Sequence, residues 1–95
     1  MRAAVIALRL SIIGRVQGVG FRAWAVEEAM QRNLRGWVRN RRDGSVEALI
    51  IGQSDAVAAM VTACRRGPPL AHVAEVRQNA AVDDGSAGFF ERATD

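Results

Sequence analysis

Residues 34–52, LRGWVRNRRDGSVEALIIG, decide the fold. Residues 34–40 and 45–52 are short runs rich in aromatic, β-branched and other apolar side chains, and between them lies RRDG. Asp43-Gly44 in that break is a dipeptide whose residues accept the left-handed angles of a tight reversal, so the two runs predict an antiparallel hairpin.

Working outward, each side of the hairpin predicts a helix. Upstream, FRAWAVEEAMQR (21–32) carries Ala23, Val26 and Met30 at helical spacing, and Asn33 after it tolerates the left-handed conformation that ends helices. Downstream, Ser54 is expected to cap a helix in which Val57, Met60, Val61 and Cys64 fall at i, i+3, i+4 and i+7. Arg65 and Arg66 suit its negative end, Gly67 supplies the exit, and Pro68-Pro69 prevents continuation. Farther out, Ile6, Leu8, Leu10 and Ile12 alternate with Arg9 and Ser11, the period of a strand (6–13) with one buried face. HVAEVRQNAAV (72–82) predicts a fourth strand, GFFER (88–92) a short fifth, and the residues after Phe90 read as a tail. The order β-α-β-β-α-β is that of an α+β, ferredoxin-like sandwich, an antiparallel sheet of four to five strands with two helices on one face. Residues 1–95 are expected to form a single domain.

Hydrophobic content of 49% with 24% charged residues is that of a folded, non-membrane chain. The early apolar run, residues 3–8, is stopped by Arg9 and is too short to span a bilayer or to act as a signal peptide. The single cysteine, Cys64, leaves no internal disulfide, so a reducing, cytoplasmic setting is expected. A net charge of +3, carried on 13 basic residues that are all arginine, favours an anionic partner without choosing one.

The topology itself makes a site. In a split βαβ the first two strands run parallel with the third between them, so their carboxyl ends share an edge about 9–10 Å apart. One strand ends in GRVQGVGFR (14–22) and the other at Asn40. Gly18 and Gly20 permit backbone angles closed to other residues, so the amides of Arg15, Val16, Gln17, Gly18, Val19, Gly20 and Phe21 can turn inward as an anion-binding nest. The positive end of the first helix points the same way, and Arg22 adds a planar fork for two phosphate oxygens. The glycines alone are read equally well as a tight strand-to-helix turn.

GRVQGVGFR together with GWVRNRRDGSVE closely resembles the acylphosphatases, with RLSIIG before the loop, GPPLAHVAEV near residue 70 and the terminal aromatic pair extending the resemblance along nearly the whole chain. Asn33 stands where that family usually has glycine. The resemblance implies metal-independent hydrolysis of the carboxyl-phosphate anhydride bond of a small acyl phosphate, releasing inorganic phosphate. It also implies a phosphate loop at residues 15–21, Arg22 as the catalytic arginine and Asn40 as the residue that orients the attacking water. No cofactor, metal or nucleic acid is expected, and a monomer is.

Blander assignments stand beside these. Asp43-Gly44 reads as hairpin geometry, Trp37 as packing on the sheet, Cys64 as core, and His72 as a surface residue far from both motifs. Arg39, Arg41 and Arg42 form either a basic rim that steers anions or a solvated turn. Gly18 to Ala23 fits the loose G-x-G-x-x-A dinucleotide pattern, but the chain is too short for the doubly wound sheet that pattern serves. A non-catalytic phosphate- or RNA-binding module of the same fold is the stronger rival. "RGW" begins like the aromatic motif of RNA-recognition domains, but Val38 and Arg39 break it, and with no tyrosine in the chain a stacking platform is not expected.

Overall fold

In the computed structural model, which describes residues 4–95, the hairpin pairs β2 (Arg35–Asn40) with β3 (Val46–Gln53) in a register that sets Asn40 opposite Val46. The first residue of the early apolar run, Ala3, lies outside the described residues. β1 (Val5–Arg15) pairs antiparallel with the other edge of β3, α1 (Phe21–Gln31) links β1 to β2, and α2 (Ser54–Arg66) links β3 to β4 (His72–Ala80). With β5 (Phe89–Glu91) the sheet order is β4-β1-β3-β2-β5. β1 and β2 therefore run parallel with β3 between them, as the split βαβ requires.

β5 lies parallel to β2, which makes the sheet mixed at that edge instead of antiparallel throughout. The reason is topological: β4 and β5 sit on opposite edges, so the chain must cross the open face between them. There Asp83 pairs with Arg35, and the Trp37 indole donates to Asp84 Oδ2 at 3.2 Å. The Arg35 guanidinium, with the Gly85 amide, holds Asp83 below the usual carboxylate range, and the Ser86 hydroxyl and amide, with the Trp37 indole, do the same for Asp84.

Strand alternation divides the apolar residues between two faces. Leu10, Ile12, Val38, Val46, Ala48 and Ile50 face the helices and form the main core with Val57, Met60, Val61 and Cys64 of α2. Burial of those α2 side chains stabilises the fold by roughly 1.5–3 kcal/mol each. It also pushes the Cys64 thiol up to about 12, so it remains a neutral core group. Trp37, Leu49 and Ile51 form a smaller cluster on the open face, where the guanidinium groups of Arg39 and Arg92 each lie 4.9 Å from the Trp37 ring centre.

Two local expectations are corrected. α1 buries Phe21, Ala25 and Ala29, whereas Met30 is 63% exposed and Ala23 also faces out. Apolar side chains occur all round this helix, and the face that carries Phe21, Ala25 and Ala29 is the one turned to the main core. Ser54 is the first helical residue, not the cap; Gln53 precedes it in extended conformation with no side-chain capping bond. β3 runs straight into α2, and the Ser54 amide donates to the Ala4 carbonyl at 2.9 Å. The other ends are as expected. Asn33 (φ 56) closes α1 with paired bonds, Asn33 N–H to Met30 and Leu34 N–H to Ala29, and Gly67 closes α2.

Candidate active site

β1 delivers the glycine loop to the edge where β2 ends. Gly18 (φ 74) and Gly20 (φ 78) both adopt the left-handed angles expected of them. Gly20 is the N-cap of α1; no side chain caps the helix and no acidic residue occupies its first turn. The first intrahelical bond is Trp24 N–H to Gly20 O at 3.1 Å, so the amides of Phe21, Arg22 and Ala23 have no partner within the helix. These groups and the helix dipole concentrate positive potential at the loop.

The loop opens on a pocket of about 160 Å³ lined by Val16, Gly18, Gly20, Phe21, Arg22, Ala23, Asn40 and Glu91. Both polar side chains singled out from the sequence, Arg22 and Asn40, thus meet at one concavity. Arg15, Gln17 and Val19 are not part of its lining. Val16 and Phe21 are buried in the main core and Val19 packs against it, so these three side chains serve packing. Gln17 has a different task. Its Nε2 donates to the carbonyl oxygens of Arg41 and Ser45, at 2.8 and 2.9 Å, and staples the loop to the hairpin that carries Asn40.

Three further residues lie elsewhere than the sequence suggested. His72 is exposed, as expected, but it is not far from the motifs: it sits in register with Arg15, where the loop begins. β4 runs antiparallel to β1, so its first residue lies beside the last residue of β1. Arg39 and Arg41 are paired, because Glu47, 6% exposed on the neighbouring strand, takes ion pairs from them at 2.7 and 3.1 Å, whereas Arg42 is exposed on the turn. The residues after β5 are not a loose tail. Arg92 N–H donates to Val38 O and Asp95 N–H to Asn40 O, so the segment follows β2 to its end and braces the backbone of Asn40.

Glu91 is the site residue that sequence reasoning missed. It ends β5, and its Oε1 lies 3.7 Å from Arg22 Nε. The only sequence signal was the short apolar pair before it, too brief to fix which way the glutamate points.

The acylphosphatase family model matches residues 8–91. The acylphosphatase of Acidiphilium cryptum is 51% identical over 90 residues, covering 95% of this chain and 99% of that protein. The chain belongs to the acylphosphatase family. Among solved structures, an acylphosphatase from Coxiella burnetii superposes with a TM-score of 0.89 at 31% identity, over 93% of each chain. The acylphosphatase from Bacillus subtilis gives 0.88 at 37% identity, over 94% of this chain and 99% of that one. The acylphosphatases are hydrolases of the carboxyl-phosphate anhydride bond, and their ferredoxin-like fold is the architecture described above. Among the described residues no helix is long and apolar enough to cross a membrane.

Proposed function

We propose that this chain hydrolyses small acyl phosphates without a metal ion, holding the phosphoryl group on the backbone of the 15–21 loop, of which Val16, Gly18, Gly20 and Phe21 line the pocket, and on Arg22 while Asn40 orients the attacking water. The observation that carries the reading is the convergence of the two left-handed glycines, the uncapped helix start, Arg22 and Asn40 on one pocket. The chemistry asks for little more. The leaving group is a carboxylate whose conjugate acid has a pKa of about 4, so no general acid is needed. Phosphoryl transfer passes through a loose transition state with charge spread over the phosphoryl oxygens, and it is served by positioning and electrostatic stabilisation. Backbone amides meet that charge without reorganising, and the Arg22 fork grips two oxygens at once. The Asn40 amide accepts one hydrogen bond from water and donates another, fixing the approach in line with the leaving oxygen.

Residues 1–95 act in this reading as one catalytic domain, with no nucleic acid involved. A monomer is supported by the Glu75–Arg77 pair, 2.8 Å, on the free edge strand β4, since charge there discourages strand addition. The lone buried Cys64 suits a reducing cytoplasm.

The test is release of phosphate from an aryl acyl phosphate in excess chelator. Arg22→Ala and Arg22→Lys each lower kcat/KM by about 10²–10³-fold, because a point charge does not reproduce the two-pronged grip. Asn40→Ala lowers kcat with little change in KM. Near-parental turnover by Arg22→Lys removes Arg22 from the site, a KM effect alone makes Asn40 a binding residue, and saturable phosphate binding without turnover leaves only a binding module.

A further inference from the structure

Glu91 places a carboxylate in a pocket otherwise built for an anion, and that needs a reason. Its position follows from the fold. β5 pairs with β2 so that Phe89 lies opposite Gly36 and Glu91 opposite Val38. Phe89 packs into the helix-side core, and Glu91, two residues on, rises on that same side beneath the first turn of α1. There its Oε1 stands 3.7 Å from Arg22 Nε, too long for a hydrogen bond and close enough for a direct charge contact, with both side chains partly exposed.

We infer that Glu91 is a positioning residue for Arg22, one that holds the inner edge of the guanidinium so that the terminal nitrogens point at the phosphoryl oxygens. The inference rests on the reading of Arg22 as the phosphate grip. Arginine presents its donors along separate edges, and a carboxylate on the Nε side leaves the terminal fork free. A flexible arginine at a half-open pocket mouth otherwise samples many rotamers, few of which grip a transferring group. The same carboxylate repels a bound phosphate, so it does not serve ground-state binding. Its contribution falls on kcat, and that separates it from a residue that merely shapes the pocket.

The experiment compares Glu91→Gln, isosteric and uncharged, with Glu91→Asp and with Arg22→Ala, in steady-state hydrolysis of an aryl acyl phosphate and in competitive inhibition by inorganic phosphate. Glu91→Gln lowers kcat by about three- to fivefold, the range of a partly exposed ion pair. Its inhibition by phosphate is unchanged or tighter, and Glu91→Asp, which keeps the charge, recovers part of the lost kcat. Parental kcat in Glu91→Gln, a joint loss of kcat and phosphate inhibition, or an Asp variant no better than Gln overturns the inference. Should Arg22→Ala remain active, the reading of the site fails; should Arg22→Ala be inactive while Glu91→Gln matches the parent, only the role of Glu91 does.

Discussion

Two glycines separate what a single residue contributes to function from what it contributes to folding. Gly20 sits at φ 78 with nothing within 4 Å of where a Cβ would stand, so a side chain there meets only backbone strain. At Gly36 a Cβ would lie 1.9 Å from the Leu49 carbonyl oxygen of the paired strand. Gly20→Ala is therefore expected to cost about 1–2 kcal/mol in urea unfolding and to lower kcat/KM by at least about tenfold, since it re-aims the loop amides. Gly36→Ala costs at least about 3 kcal/mol, with kcat unchanged in whatever fraction folds. The opposite ranking in stability contradicts the assignment. The need for glycine in the loop was legible because Gly18 and Gly20 precede a helix start in a dense local pattern. The need at Gly36 was not, because the clashing atom belongs to β3, and only strand pairing brings it near.

At the scale of elements, the two helices show why one face was readable and the other was not. In α2 the larger apolar residues form a single stripe, with only alanine and polar residues elsewhere on the helix, and that stripe is the one buried. In α1 alanine, valine, tryptophan and methionine are spread around the axis, so spacing admits more than one stripe, and contact with the sheet selects Phe21, Ala25 and Ala29. The consequence is measurable with one residue type. Met60 is fully buried, and Met60→Ala is expected to cost about 2–5 kcal/mol. Met30 is 63% exposed, and Met30→Ala is expected to change stability by less than about 0.5 kcal/mol. Comparable losses in thermal or urea unfolding would mean that the helix is rotated from the face described. The strands and their order were legible from alternation and turn chemistry. The bracing of Asn40 by residues 92–95 was not, because a short polar segment shows no period until a neighbouring strand supplies its partners.

Over the whole molecule, charge on the open face of the sheet serves the fold more than the substrate. Glu47 draws in Arg9 at 3.7 Å as well as Arg39 and Arg41, and Arg39 also pairs with Asp95 at 3.3 Å, tying β1, β2, β3 and the C-terminal segment together behind the site. Nothing local in the sequence marks Glu47 as the buried partner that gathers these arginines. Glu47→Ala leaves them without their common partner and is expected to cost about 2–3 kcal/mol, less than a fully buried pair because the guanidinium groups reach water. A Tm fall of about 10–15 °C is the corresponding readout, and an unchanged Tm would contradict it. The positive potential that matters for turnover lies instead in the amides of the glycine loop and in Arg22, and that claim has a direct test. Titration of the isotopically labelled protein with inorganic phosphate, followed by amide NMR, is predicted to move the N–H resonances of residues 16–22 saturably and most strongly, with the Asn40 side-chain amide among them. Largest shifts elsewhere, or loop amides that stay still while phosphate inhibits, would contradict the account.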